Sequence, residues 1–264
     1  MSGIESFLDE IKCQIEQDSS QREHLRELEH QFDLKLTPYR KIVNDISSVR
    51  PSEILDRTVD TTARIADVAL PDTDSISKIF THFRSMLAEI QCKEAQRERL
   101  TSKFIEESMY ICIVCRYFQT IGRSFESYES GSLDIPLLTT CLVDKGLIVT
   151  PKEISETIFL DKVDYQTYLL VLLRLVDVIQ DYTTSAIIQC SMGANESDSS
   201  IDYTIAVINS QIVSKLQSGF QLLDLKNDIL RKRYDGLKYA SQRLNKIVYD
   251  LTLRNLISIK GSVY

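Results

Sequence analysis

The stretch Leu216–Leu251, LQSGFQLLDLKNDILRKRYDGLKYASQRLNKIVYDL, decides the fold of this chain. Leucine occupies every seventh position in it, and the apolar pattern advances in alternating steps of four and three residues. One face of an α-helix requires this spacing. The pattern therefore predicts amphipathic helix whose apolar stripe serves as core or as an oligomer seam. The predicted seam consists of Leu216, Phe220, Leu223, Leu230, Tyr234, Leu237, Leu244, Val248 and Leu251.

The same stretch contains a signal for a break in the helix. Asp228 is a good N-cap for a helix that begins at Ile229, so we expect two helices that meet near 226–228, although the leucine repeat alone favours one uninterrupted zipper. Lys and Arg also dominate residues 226–246, where the carboxylates are Asp228 and Asp235. This basic face either contacts nucleic acid or is the solvated back of an oligomerising helix. We favour the solvated back, because charge runs are commonly solvated faces.

The composition limits the classes of function. A chain of 264 residues with 43% hydrophobic residues can bury a substantial core, and only eight Gly and five Pro favour helices over β-structure. The net charge of −7 argues against a surface built throughout for nucleic acid, so any such site is local. The six cysteines lack the spacing of a disulfide framework, and the N-terminus lacks a signal-peptide pattern. We therefore expect a reducing compartment. No apolar run approaches the roughly 18 residues of a membrane helix, so we also expect no membrane span.

Helical spacings recur along the rest of the chain. Residues 4–35 predict one long helix or two helices that meet near 18–20, and Pro38 starts or continues a helix to about Val49. The predicted helix from Asp74 or Ser75 either ends near 90 or continues through the charged residues 93–103. Further helices are expected at 53–69, 104–125, 136–146, from an Asp161 cap to 188, and from about Ser200 or Asp202. Loops are expected at 147–160 and 191–202, with a short C-terminal tail at 258–264.

The residues 225–239 carry a resemblance to a known family. LKND at 225–228, followed by LRKRYDGLKY at 230–239, resembles the C-terminal signature of the translin family. The resemblance implies an all-α, single-domain bundle of about seven helices over residues 1–264, which assembles into a hollow octamer. It also implies binding of single-stranded RNA and DNA in the cytoplasm and nucleus.

Two N-terminal elements extend the resemblance. Arg22-Glu23-His24-Leu25-Arg26 is similar to an RE-x-(I/L)-R element of the family, and Thr81-His82-Phe83 is similar to a TH-L element in its second basic region. The nucleic-acid-binding residues that the resemblance implies, together with the neighbouring cations, are Arg22, Arg26, Lys78, His82 and Arg84.

The residues themselves offer no catalytic constellation. Cys112 and Cys115 share one helix face, but a structural zinc site needs two further ligands, and the sequence supplies none at usable spacing. None of the three histidines completes a Ser-His-Asp or Cys-His arrangement. We therefore expect no metal and no catalytic residues on this chain.

The resemblance also implies a partner, because the family includes a paralogue, translin-associated factor X. The mixed octamer with this paralogue is a metal-dependent endoribonuclease, linked to RNA silencing and transfer-RNA processing, and the paralogue carries the carboxylates that hold Mg²⁺. The matching positions in this sequence are Met109, Cys112, Val171 and Leu175, none of which is acidic. The resemblance thus implies a noncatalytic subunit without a cofactor.

Two alternatives stay open from the sequence. The chain is an autonomous Mg²⁺-dependent endoribonuclease if a shifted register brings Glu106, Glu107 or Asp177 into a metal site. It is a coiled-coil scaffold without nucleic acid if the leucine stripe serves only as an oligomer seam.

Overall fold

The computed structural model describes residues 2–46, 48–54, 73–129, 147–158, 160, 162–192, 203–225 and 229–257. These residues contain seven α-helices, the 3-10 helix Pro51–Glu53 and no strand, which confirms the predicted all-α fold. The α-helices are α1 (Ser2–Ile46), α2 (Thr73–Glu89), α3 (Glu94–Glu129), α4 (Pro151–Thr157), α5 (Tyr165–Met192), α6 (Thr204–Gln221) and α7 (Ile229–Leu253). None of these described helices combines the length and the apolarity that a membrane span needs.

The first helix is continuous over 45 residues, so of the two predicted alternatives the single long helix is the correct one. Pro38 lies inside it, and it continues the helix instead of starting a new one. From Leu25 onwards α1 buries an apolar face that includes Phe32, Leu36 and Val43. Repeats of three and four residues place these side chains on one side of the helix, which packs against α2 and α3.

The turn between α2 and α3 settles a question that the sequence left open. The helix that begins at Thr73 ends at Glu89, and a separate helix begins at Glu94. Arg97 in the first turn of α3 donates a hydrogen bond to the backbone carbonyl of Ile90 over 3.1 Å. The Ile90 carbonyl lies just after the end of α2 and has no hydrogen-bond partner within that helix. The bond from Arg97 supplies one and so stabilises the interruption between α2 and α3. The helix α3 is also longer than the predicted span 104–125.

Two sets of contacts hold the bundle around α3. The rings of Phe32, Phe83 and Phe104 meet where α1, α2 and α3 pack, with centroid distances of 5.4, 4.2 and 6.1 Å. Farther along α3, the buried Asn209 of α6 accepts a hydrogen bond from the Tyr117 hydroxyl and donates one to Thr183 of α5, each at 2.8 Å. These polar contacts fix the positions of three helices inside the core.

The region 147–192 departs from the sequence prediction. The expected loop 147–160 contains α4, which begins with a capping box in which Thr150 and Glu153 satisfy each other's backbone amides. Asp161, the expected N-cap of the next helix, lies outside the described residues. The helix α5 begins at Tyr165, and Asp164 caps it by accepting a hydrogen bond from the amide of Thr167 at 2.8 Å.

Several other predicted boundaries need correction or lie outside the described residues. Residues 191 and 192 of the expected loop belong to α5, which continues to Met192, and α6 begins at Thr204 instead of Ser200 or Asp202. The predicted helix at 53–69 is described only at its first two residues, where Glu53 ends the 3-10 helix. The predicted helix at 136–146, the rest of the expected loop at 193–202 and the tail at 258–264 are outside the described residues.

The C-terminal leucine stretch forms two helices, as Asp228 predicts. The helix α6 ends at Gln221 and α7 begins at Ile229, and both pack against each other and against α5. Leu223 is 42% exposed because it follows the end of α6. The rings of Phe220 and Tyr234 stack with their centroids 5.8 Å apart. Of the predicted seam, the side chains buried within this chain are Leu216, Phe220, Leu230, Leu237, Leu244 and Leu251, while Tyr234 and Val248 are half-buried.

Candidate nucleic-acid interface

A row of ion pairs connects α1 to α3. Asp18 of α1 accepts a hydrogen bond from Lys93, the residue just before α3, over 2.7 Å. About three to four turns farther along α1, Lys103 of α3 donates hydrogen bonds to Glu29 at 2.8 Å and to Asp33 at 2.9 Å. We call this line of contacts, from Asp18 to the pairs of Arg40 described next, the ion-pair row. It shows which flank of α1 faces α3.

The ion-pair row ends in a half-buried cluster that includes α5. Arg40 donates to Asp33 at 3.0 Å and to Glu107 at 2.8 Å. Arg174 of α5 donates to Glu107 at 2.8 Å and to Glu106 at 3.0 Å. The cluster thus ties three helices together through two guanidinium groups that share the Glu107 carboxylate.

Burial and pairing act in opposite directions on the groups of this cluster. Burial raises the pKa of the Glu107 carboxyl, but the hydrogen bonds from Arg40 and Arg174 outweigh it, so the pKa of Glu107 lies below its ordinary value. The same contacts raise the pKa of Arg40 above its ordinary value despite the opposing effect of burial. Both groups are therefore charged at neutral pH. The Arg174 guanidinium also lies 3.9 Å from the centre of the Tyr110 ring.

Arg22 and Arg26 lie on the flank of α1 that the ion-pair row defines. Arg22 follows Asp18 by one turn and Arg26 precedes Glu29 by three residues, so all four occupy neighbouring positions on the helix surface. The pKa of Asp18 is lowered, mainly by its hydrogen bond with Lys93 and in smaller part by the charge of Arg22. Both arginines are exposed, and neither forms an ion pair within the described residues.

Two further cations extend this flank, and the sequence reasoning did not select them. Arg99 of α3 lies 3.7 Å from Glu29 and its side chain is 71% exposed. Lys93 is 63% exposed although it pairs with Asp18. The structure therefore brings the exposed cations Arg22, Arg26, Lys93 and Arg99 to the junction of α1 and α3, which we call the α1–α3 flank. The segment KEAQRERLTSK at 93–103 carries the signal, since Lys93 and Arg97, and Arg99 and Lys103, are four residues apart.

The predicted cations of α2 do not form one patch. Lys78 and His82 are exposed and lie one turn apart on the same face. Arg84 is also exposed, but a step of two residues places it about 160° around the helix from His82. The His82 ring meets the neighbouring Phe83 ring edge-on at 5.4 Å. The five predicted residues are therefore distributed over more than one surface.

The four positions that the resemblance assigns to the paralogue's carboxylates are buried where α3 packs on α5. Met109, Val171 and Leu175 are fully buried, and Cys112 is 6% exposed. Burial raises the pKa of the Cys112 thiol to about 12, so this thiol is protonated at neutral pH. Mg²⁺ requires hard oxygen ligands, and none of these four side chains supplies one. They do not fit a magnesium site.

The carboxylates of the nuclease alternative are engaged by arginines. Glu106 and Glu107 pair with Arg174, as described above, and Asp177 lies 3.7 Å from Arg233 of α7. Burial raises the pKa of Asp177. In the part of the chain that the structure describes, no group of three or more His, Cys, Asp or Glu side chains is arranged to hold a metal ion.

These features define a class: an all-α bundle with exposed cations at the junction of α1 and α3. A sequence model of the Translin family matches residues 20–255, which places α2 to α7 and most of α1 within the family region. The chain belongs to the translin family.

Individual relatives match over a shorter segment. The chain is 43% identical to Translin of Gallus gallus over 81 residues, which is 30% of this chain and 35% of the relative. It is 43% identical to Translin of Homo sapiens and of Mus musculus over 79 residues, 29% of this chain and 35% of each relative. The aligned segment thus spans about a third of the length of these relatives.

Proposed function

We propose that this chain is a noncatalytic subunit that binds single-stranded RNA and DNA. It assembles as an octamer, alone or with translin-associated factor X in an endoribonuclease complex. Membership of the translin family supports the proposal. The observation that carries it is the α1–α3 flank, where Arg22 and Arg26 are exposed beside Lys93 and Arg99.

The chemistry of the α1–α3 flank suits phosphates more than bases. Guanidinium and ammonium groups neutralise phosphates whatever the base sequence, and neutralisation releases counterions, so the affinity falls as salt rises. The chain as a whole carries a net charge of −7, so binding depends on this local concentration of cations. We therefore expect a modest sequence preference and a strong salt dependence.

The absence of catalysis in the proposal rests on the positions that match the paralogue's carboxylates. Because Met109, Cys112, Val171 and Leu175 are buried and offer no carboxylate, magnesium belongs to the paralogue in the mixed assembly. The complex would then serve RNA silencing and transfer-RNA processing in the cytoplasm and nucleus. This chain would hold the RNA while the paralogue cleaves it.

A charge reversal on α1 tests the binding surface. Arg22→Glu with Arg26→Glu removes two cations from the α1–α3 flank. Lys152→Glu with Lys162→Glu, at two exposed lysines away from this flank, is the control with the same change in net charge. We expect the double variant to bind a labelled single-stranded RNA at least about tenfold more weakly and to lower the salt slope by about 1.4, since each phosphate contact contributes about 0.7. The control should bind like the wild type. An unchanged affinity in the double variant would exclude the α1–α3 flank as the binding surface.

A cleavage assay tests the noncatalytic role separately. The RNA should remain intact when it is incubated with Mg²⁺ and this chain alone, and it should be cleaved when the paralogue is added. Cleavage by this chain alone that disappears in Glu106→Gln or Glu107→Gln would support the autonomous nuclease instead.

A further inference from the structure

A cleft lies between α3 and α4, in a part of the molecule that the proposed function does not use. Its volume is about 340 Å³, which falls in the range of about 300–1,000 Å³ that is usual for small-molecule sites. Arg116, one of its lining residues, is 17 residues beyond Arg99 of the α1–α3 flank, a distance of about 25 Å along α3. We call this space the α3–α4 cleft.

The inner wall of the α3–α4 cleft is apolar. Ile154 of α4 is fully buried, Cys112 of α3 is 6% exposed, and Val149, just before α4, is half-buried. The Cys112 thiol is protonated at neutral pH, because burial raises its pKa to about 12, and it therefore adds to the apolar surface. The Tyr168 hydroxyl donates a hydrogen bond of 2.9 Å to the Val149 carbonyl and holds this wall in place. The inner wall is suited to an aliphatic group.

Glu153 supplies a fixed carboxylate at the rim of the cleft. Its Oε2 atom accepts hydrogen bonds from the amide and the hydroxyl of Thr150, at 2.7 and 2.8 Å. Its Oε1 atom accepts no hydrogen bond within the described residues. Glu156, which also lines the cleft, lies one turn farther along α4, and Lys152 approaches it only to 4.0 Å. The rim thus has two carboxylates, and Glu153 is the one held in position.

Arg116 adds a positive charge to this lining. It is exposed, and it forms no ion pair within the part of the chain that the structure describes. The pKa of the Glu153 carboxyl is lowered, mainly by the hydrogen bond from the Thr150 amide and in smaller part by the charge of Arg116. The two groups therefore lie close enough for their charges to interact but too far apart for direct contact. This separation leaves room for a ligand that pairs with both.

We propose that the α3–α4 cleft binds a free α-amino acid with an aliphatic side chain, such as leucine. The carboxylate of the ligand pairs with Arg116, and its ammonium group pairs with Glu153. Its side chain packs on Val149, Ile154 and Cys112. An α-amino acid carries both charges and the side chain on one carbon atom, so it matches all three parts of the cleft. The charge-assisted hydrogen bonds and the burial of the side chain supply the affinity.

A nucleoside monophosphate fits the α3–α4 cleft less well. Its phosphate would pair with Arg116, but Glu153 and Glu156 outnumber that cation and repel the remaining phosphate charge. The described lining residues also include no aromatic ring on which a base could stack. A zwitterion has no net charge and needs no stacking partner. The inference thus concerns a second ligand, and RNA binding by the α1–α3 flank does not depend on it.

Analogues of leucine that each lack one group test the proposal on the wild-type protein. Leucinamide lacks the carboxylate, 4-methylpentanoate lacks the ammonium group, and glycine lacks the side chain. Calorimetric titration should show saturable binding of leucine and binding at least about tenfold weaker for each analogue, because each loses a charged hydrogen bond or the apolar contact.

Two variants assign these groups to residues. Arg116→Ala should weaken the binding of leucine at least about tenfold and leave that of leucinamide unchanged, because leucinamide has no carboxylate. Glu153→Gln retains the capping box, in which Gln also serves, but removes the charge. It should weaken leucine and leucinamide and leave 4-methylpentanoate unchanged. Arg243→Ala, at an exposed arginine of α7, is the matched control for Arg116→Ala and should bind leucine like the wild type.

Three outcomes would overturn the proposal: no saturable binding of leucine by the wild type, analogues that bind as tightly as leucine, or leucine binding that both variants leave unchanged. A nucleoside monophosphate is titrated in parallel. Saturable binding of this nucleotide that Arg116→Ala abolishes would also overturn the proposal, because the cleft would then be an anion site.

Discussion

Three helices contact the Glu107 carboxylate, so its charge should contribute more to the stability of the fold than the charge of the neighbouring Glu106. It accepts hydrogen bonds from Arg40 of α1 and Arg174 of α5, each at 2.8 Å, and its side chain is only 15% exposed. Glu107→Gln preserves the shape of the side chain but removes the charge. Both guanidinium groups then lose their shared anionic partner.

The cost follows from the hydrogen bonds that change. A hydrogen bond that involves a charged group contributes about 1.5–3 kcal/mol, and a neutral one about 1 kcal/mol. The substituted side chain has one amide oxygen, which can still accept about one bond from a guanidinium, but that bond is weaker without the carboxylate charge and the second bond is lost. Arg40 retains part of its hydration because it is 35% exposed. We expect a loss of about 2–4 kcal/mol in the free energy of unfolding. For a chain of this size the loss lowers Tm by about 4–16 °C.

Glu106→Gln is the matched control, because Glu106 has the same chemistry, pairs with Arg174 alone and is 37% exposed. Its loss should not exceed about 1 kcal/mol. Thermal unfolding followed by circular dichroism gives both values, at one protein concentration because self-assembly makes Tm depend on concentration. If Glu107→Gln unfolds at the same temperature as Glu106→Gln, the reasoning about the shared carboxylate is wrong.

Three further predictions concern pH, packing and reactivity. Because its pKa is lowered in the fold, Glu107 stabilises the protein fully above its unfolded pKa, and this stabilisation is lost as the pH falls through the folded pKa. The Tm gap between wild type and Glu107→Gln should therefore be constant near neutral pH and shrink in acid; a gap that persists in acid would contradict this. Leu244→Ala should lower the free energy of unfolding in urea by about 2–5 kcal/mol, because Leu244 is fully buried, and Leu223→Ala by less than about 1 kcal/mol, because Leu223 is exposed. Equal losses in the two variants would refute this prediction. In the native protein an aromatic disulfide reagent should modify the exposed Cys13 and spare Cys112, whose pKa burial raises to about 12; peptide mapping that finds native Cys112 modified would show the packing to be wrong.

Local sequence signals predicted much of the fold. The leucine repeat and Asp228 together predict two helices that meet near 226–228, and α6 and α7 leave this interval between them. The capping box at Thr150 and Glu153, with Pro151 at the first helical position, is an equally clear signal for the start of a helix. The expected loop at 147–160 did not take it into account. The repeat and the caps are each properties of one continuous segment of the sequence, so they can be read without knowledge of the packing.

The contacts that build the candidate site could not be predicted in this way. Arg174 and Glu107 are 67 residues apart, and Lys103 and Asp33 are 70 apart. Periodicity places each residue on a face of its own helix but does not say which helix lies opposite. For the same reason the resemblance selected Arg22 and Arg26, while Arg99 became a candidate only when α3 was seen to pack beside them.

Leu223 shows the limit of a repeat taken alone. It occupies a heptad position, but the helix that would bury it has already ended at Gln221, so the side chain is 42% exposed. Its equivalent Leu230 is buried because α7 has begun and packs on α5 and α6. Burial of a heptad leucine depends on the continuity of the helix as well as on spacing.

The most direct test of the account is the salt dependence of RNA binding by the unmodified protein. A labelled single-stranded RNA is titrated with the wild-type chain in the absence of Mg²⁺ at several salt concentrations, and the logarithm of the affinity is plotted against the logarithm of the salt concentration. The account predicts binding at low salt and a linear fall in the logarithm of the affinity. The slope should be about −1.4 or steeper, because two phosphate contacts contribute about 0.7 each. No binding at low salt, or an affinity that does not change with salt, would contradict it.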